Sequence, residues 1–240
     1  MSANENRKTT KFLLTLLCWY SSATISSSVQ KLILTDFTFP LTLTTLQFAS
    51  NAAIMFFFGQ IKPITYNSCK LVAPISLFHA SSHICSSNAI SLISVSLAQT
   101  IKAVSPLFTV LLYYFLYRAV YSFKVYFAVT NLTVGVAVAS FTNSQINILG
   151  IILALTGTFL FSCSTIYSKK ILSQPKPLDN NSMICIVNIL GLLVMIPIWI
   201  YYESTSVIFP KEFKVYGLFA LKASCSFFQS ILGLKLMSLV

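Results

Sequence analysis

Residues 96–117 read SLAQTIKAVSPLFTVLLYYFLY, an apolar run interrupted by one charge, Lys102. A helix that crosses a bilayer needs roughly 20 mainly apolar residues, and this stretch is long enough. The same reading extends in both directions. Comparable runs cover 12–34, 41–60, 71–94, 121–140, 148–169, 183–202 and 215–238. They are joined by short polar turns at Asp36–Pro40, Lys62–Asn67, Phe141–Asn147, Gln174–Asn181 and Glu203–Phe213. Composition agrees, with 56% hydrophobic and 9% charged residues and a mean hydropathy of +0.80. Soluble domains carry about a quarter charged residues, so a water-facing surface is excluded. The expected fold is all-α, a polytopic integral membrane helix bundle of about eight spans.

Charge sets the expected orientation. Arg7, Lys8, Lys11, Lys62, Lys70, Arg118, Lys124, Lys169, Lys170 and Lys176 fall on one side of such a bundle, and Lys31, Lys211 and Lys214 on the other. Basic loops are retained in the cytosol, so residues 1–11 read as a cytosolic tail. Arg7, Lys8 and Lys11 before Phe12–Tyr20 resemble the start of a signal peptide, but the segment runs on to Leu34 and reads better as a retained span. The sequon Asn180-Asn181-Ser182 then faces the cytosol, and Asn131-Leu132-Thr133 lies inside a span, so neither is expected to be glycosylated. The net charge of +11 is topological: the basic residues sit in gaps between spans, and no nucleic-acid partner is expected. The six cysteines are scattered without metal or redox spacing and read as small core residues.

The chemistry lies in polar residues held inside apolar runs. On 71–94, His79, Ser82, His83, Ser86, Ser87, Ser91 and Ser94 share one broad helical face. Lipid offers no hydrogen bonds, so that face must meet a cavity, water or another helix. For any one serine, an interhelical packing contact is an equally good reading. His79 and His83 have i, i+4 metal spacing but no carboxylate or cysteine partner, so neither a metal nor a cofactor is expected. Lys102 is the most informative residue, because a cation at a helix centre costs roughly 2.5–3.5 kcal/mol. Pro106, four residues on, cannot donate the N–H that would pair with the Lys102 carbonyl. A lysine beside freed backbone suits a phosphate or carboxylate; the plainer alternative is snorkelling to the interface. The acidic residues Glu5, Asp36, Asp179, Glu203 and Glu212 lie in the tail, in loops or at span edges. With no intramembrane carboxylate to relay protons, exchange of one anion for another fits better than proton coupling.

Several stretches, in collinear order, carry a family resemblance. They are LTDFTFPLTLTTLQF (34–48), LFHASSHICSSNAISLISVS (77–96), SVSLAQTIKAVSPLFTVLLYYFL (94–116), YSFKVYFAVTNLTVGVAVAS (121–140) and TIYSKKIL (165–172). In them the chain resembles the triose-phosphate and sugar-phosphate translocator family, of the drug/metabolite transporter superfamily, in its fungal endomembrane form. The resemblance implies ten helices in two inverted five-helix repeats about a central site. It would make 12–140 the first repeat and 141–240 an incomplete second one of three spans, a C-terminally truncated member. It also implies that Lys102, His83 and Ser86 line the substrate site, the lysine holding a phosphate. The chain departs from the family pattern at Ser96-Leu97-Ala98-Gln99, where Ser-Phe-Thr-His is usual, and at Val104-Ser105, where a small residue and Glu precede the proline.

The leading expectation is an antiporter of a small organic anion, such as a sugar phosphate or nucleotide-sugar, in the endoplasmic reticulum or Golgi membrane. A different class is a truncated, non-transporting membrane protein that influences secretory traffic. An enzyme is not expected, since neither a Ser/His/Asp set nor paired carboxylates are present.

Overall fold

A backbone surrounded by hydrocarbon must satisfy its own hydrogen bonds, and helices do so within one segment. The structure, a computed structural model, describes residues 3–58, 64–141, 147–174, 178–204 and 213–239. Among them are nine helices: α1 Ala3–Asp36, α2 Pro40–Phe58, α3 Tyr66–Leu92, α4 Val95–Lys102, α5 Ser105–Tyr117, α6 Phe123–Phe141, α7 Ile148–Leu172, α8 Asn180–Tyr202 and α9 Phe213–Leu239. The apolar stretches of the sequence are helical where described, apart from breaks at Ile93–Ser94 and Ala103–Val104. The stretch 96–117 differs from a single rod, because α4 ends at Lys102 and α5 starts at Ser105 with Pro106 in its first turn.

Among the described residues, five helices are long and apolar enough to cross a membrane: Thr10–Asp36, the α4–α5 pair at Val95–Tyr117, Ile148–Leu172, Asn180–Tyr202 and Val215–Gly233. Polar side chains run along the inner faces of α2 and α3, at Thr42, Thr44, Asn51, Ser76, Ser82 and Ser87. Outward, large apolar and aromatic side chains are bare: Phe56, Phe57, Tyr66, Phe115, Phe123 and Tyr201 are each at least 70% exposed. Several stand at helix ends, the level at which aromatic rings favour a bilayer interface.

Packing is nested and antiparallel, with α1 along α9, α2 along α8 and α3 along α7. The registers are fixed by close approaches. Ser82 Oγ donates to the Gly157 carbonyl at 2.7 Å, Ser22 Oγ to the Cys225 carbonyl at 2.8 Å, and the Phe48 ring lies against Gly191. A Cβ on Gly157 would come within 3.0 Å of Ser86 Oγ and 3.2 Å of the Ser82 carbonyl oxygen, so glycine sets the α3–α7 spacing as small residues do between membrane helices.

Chain alternation defines two sides. The start of α1, the end of α2, the start of α3, the end of α7 and the start of α8 share the N-terminal side. The far side is filled by Val29, Ile33, Phe37, Leu43, Ile90, Ile93, Leu97 and Ile101. A second cluster on the N-terminal side, with Met55, Val72, Ile75, Ile171 and Met183, joins α2, α3, α7 and α8. Lys62, Lys176, Lys211 and Glu212 of the sequence argument lie outside the described residues, as do the side chains of Glu5, Arg7, Lys8 and Lys214. Of the six cysteines, all free, Cys185 is buried whereas Cys18 is exposed on α1, so they are not uniformly core residues.

Candidate functional site: a polar cavity below three intramembrane lysines

A cavity of about 300 Å³ opens between α1, α2, α3, α7, α8 and α9, in the half of the bundle on the N-terminal side. Trp19, Phe48 and Phe161 supply aromatic walls, and Gln47, Asn51, Asn188 and Gln229 supply amides. The lining carries no carboxylate and no lysine. Two buried polar atoms on it, Asn51 Oδ1 and Ser226 Oγ, have no hydrogen-bond partner. Buried polar groups are nearly always paired, so these two are available to a polar group that enters the cavity.

α3 distributes its polar stripe among three surroundings. His79 and His83 face the cavity, their rings 4.7 Å apart and edge-on to Phe48 at 5.8 and 5.4 Å. Ser82 and Ser86 turn toward Gly157 of α7. Ser87 instead accepts a hydrogen bond from Gln30 Nε2 at 2.9 Å and pairs with Thr44 Oγ1 at 2.7 Å. The stripe is too broad for one cavity, so neighbouring helices take the remainder. Ser94 serves as a helix cap, accepting from the Leu97 N–H at 3.3 Å.

Lys102 sits at the break between α4 and α5. The backbone bonds there run from Ala103 to the Gln99 and Thr100 carbonyls, from Val104 to Ile101 and from Leu107 to Val104; the Lys102 carbonyl is not among the acceptors. Both flanks are pinned. Gln99 Nε2 donates to Ser27 of α1, and Ser105 Oγ meets Ser162 Oγ of α7 at 3.0 Å. These are two positions where the chain departs from the family pattern, and both side chains are occupied in interhelical hydrogen bonds. Among the described residues, the Lys102 ammonium has no hydrogen bond and no carboxylate partner. It lies outside the cavity lining but within electrostatic reach of His83 and of Lys222 on α9. The structure therefore brings Lys102 and His83 into one neighbourhood, while Ser86 packs against α7.

Two further lysines in the bundle were not singled out by the sequence. Lys31 of α1 donates to the carbonyls of Ile90, Ser91 and Ile93 at 2.7, 3.3 and 3.1 Å, closing the end of α3. Lys222 is 5% exposed and donates to Ser26 Oγ and Gln30 Oε1 of α1, each at 2.9 Å. Glu203, read as a span-edge residue, is also buried. Its carboxylate accepts from the Leu41 N–H at 3.0 Å, the Thr42 N–H at 2.6 Å and the Thr42 hydroxyl at 2.7 Å. Trp199 Nε1 donates to that hydroxyl at 2.7 Å.

Comparison with known proteins fits this architecture. The chain is 32% identical to an assumed transporter of Schizosaccharomyces pombe (strain 972), over 95% of this chain and 55% of the relative. It is 28% identical to phosphoenolpyruvate/phosphate translocator 3, chloroplastic, of Oryza sativa subsp. japonica, over 79% of this chain and 50% of that protein. With the chloroplastic triose phosphate/phosphate translocator of Zea mays it shares 30% identity, over 59% of this chain and 34% of the relative. The chain thus spans about half the length, or less, of these relatives. A solved crystal structure superposes with a TM-score of 0.62 at 17% identity, covering 96% of this chain and 79% of the other, a likeness of fold. The model of the family described as Triose-phosphate Transporter family matches residues 10–240, and the chain belongs to that family, one of membrane transporters and not of enzymes.

Proposed function

We propose that the protein carries a small organic anion, such as a sugar phosphate or nucleotide-sugar, across a membrane by exchange for another anion. Lys102 is the electrostatic anchor and His83 a hydrogen-bonding neighbour. Ser86, packed against α7 beside Gly157, is the third candidate contact. The observation that carries this reading is the partly buried Lys102 ammonium at the α4–α5 break, without hydrogen bond or carboxylate among the described residues, in electrostatic reach of a histidine that lines a cavity. Intramembrane charge is expensive and marks substrate pathways. Relatives named for an organic phosphate paired with phosphate support exchange as the mode.

In this reading 12–140 and 141–240 are two repeats, and the cavity is the access route on the N-terminal side. The excess of basic residues there supports a cytosolic N-terminus in the endoplasmic reticulum or Golgi membrane. The test is exchange of labelled phosphate by purified protein in liposomes loaded with phosphate or sugar phosphates. The wild-type chain exchanges label and Lys102→Gln falls to background at unchanged expression. Equal rates in the two proteins remove the lysine from the mechanism.

A further inference from the structure

Several polar side chains around the cavity have already used their hydrogens. Thr165 Oγ1 donates to the Phe161 carbonyl at 2.9 Å, Ser230 Oγ to the Ser226 carbonyl at 3.0 Å and Asn188 Nδ2 to the Ile184 carbonyl at 2.8 Å. A hydroxyl that has donated its one hydrogen keeps only lone pairs, so toward a ligand these groups act first as acceptors. Asn51 on α2 and Ser226 on α9 add two further contact points. They line the cavity and are 3% and 2% exposed, and among the described residues Asn51 Oδ1 and Ser226 Oγ have no partner. Leaving buried polar atoms unpaired costs stability, so this pair is kept at the expense of the fold.

Charge narrows what can enter. No carboxylate, lysine or arginine lines the cavity, so a charged group would find no ion pair there. An anion would meet lone pairs, and a cation would lack a carboxylate to balance it, where desolvation makes unpaired charge expensive. A neutral group rich in hydroxyls fits, because each hydroxyl donates one hydrogen and still accepts. The Gln47 and Gln229 amides on the lining supply N–H groups for that second role. Shape agrees with chemistry. At about 300 Å³ the space lies at the lower end of the roughly 300–1,000 Å³ of small-molecule pockets, which suits a single ring. Trp19 and Phe161 give that ring apolar walls, and Trp19 is seated against Gly233, where a Cβ would come within 3.2 Å of its Nε1.

We infer that the cavity is the subsite for an uncharged, polyhydroxylated ring that forms the body of the transported anion, and that Asn51 and Ser226 read its hydroxyls. The charged end of the ligand rests on the carrier reading above, with Lys102 as its anchor; the ring subsite rests on the cavity. The plainer role is a water-filled passage, which is indifferent to ring hydroxyls.

myo-Inositol 1-phosphate and cyclohexyl phosphate carry the same charged group on rings of the same size and differ in their ring hydroxyls. Equilibrium binding of both to the purified full chain reads the preference directly. The wild-type protein favours the inositol phosphate by about tenfold or more, the scale of one or two hydrogen bonds. Asn51→Leu removes an acceptor without opening space, and it brings the ratio to one or below by weakening the inositol phosphate alone. Ser226→Ala, the milder change should Asn51→Leu not fold, lowers the ratio by about threefold. A wild-type ratio near one, or a ratio unchanged in both folded variants, overturns the ring subsite and leaves the carrier reading standing. Lys102→Gln weakens both probes alike; if it weakens neither while the ratio persists, the lysine anchor falls and the ring subsite stands. Absence of binding of either probe by the wild-type chain overturns this inference together with the carrier reading.

Discussion

The two ends of the bundle are built differently. On the far side, charges are spent on helix ends: the Glu203 carboxylate caps the start of α2, and the Lys31 ammonium caps the end of α3. Each complements the partial charge left there by unpaired backbone groups, and apolar side chains fill the space between. On the N-terminal side an amide-rich cavity retains two polar atoms without partners. Among the described residues, the far side is filled by interactions that satisfy one another, whereas the cavity side keeps polar atoms available. In the proposed carrier that asymmetry corresponds to one face held shut. The lysines repeat the contrast: among the described residues Lys31 has three carbonyl acceptors, Lys222 two neutral ones and Lys102 none.

Breaking the seal is expected to have the largest effect. Glu203→Ala removes a charged acceptor from two backbone N–H groups and a hydroxyl, a loss of about 3 kcal/mol. It shows as a lower melting temperature in detergent and as greater far-side labelling of a cysteine placed at Thr42. Gly191→Ala comes next. Its Cβ would lie 2.6 Å from Phe48 Cε1, so the ring must move toward the histidines, at about 2 kcal/mol of overpacking strain. Thermal unfolding and reduced ligand binding report it together. Lys31→Met uncaps α3 and is worth about 1 kcal/mol, read as faster hydrogen exchange at Ile93 and Ser94. The smallest effect has the opposite sign. Asn51→Leu removes an unsatisfied buried acceptor and stabilises the fold by up to about 1 kcal/mol while weakening ligand binding, a trade between stability and function. A destabilised Asn51→Leu protein would show that the amide supports the fold rather than the site.

Much of the bundle was legible because hydrocarbon imposes a simple rule: long apolar runs become helices. The stripe on α3 was legible as a face that lipid would not accept, although its division among a cavity, α7 and the Gln30–Thr44 pair depends on neighbours distant in sequence. Lys102 stood out locally, with Pro106 beside it. Lys222 did not, because its holders Ser26 and Gln30 lie 196 and 192 residues away. A lysine in an apolar run that also holds Lys235 was its only local signal. Glu203 reads as an ordinary span-end acid until α8 and α2 are placed side by side. The amides of Gln47 and Asn51, of Asn188 and of Gln229 are isolated polar letters in three apolar runs, and only packing gathers them around one space.

The most direct test of the account is to locate a heavy dianion in the protein. Tungstate, a phosphate mimic visible by anomalous scattering, is expected to give one peak inside the bundle within about 4 Å, the reach of an ion pair, of the Lys102 ammonium. A peak confined to the headgroup level beside Lys102, with the interior empty, would contradict it.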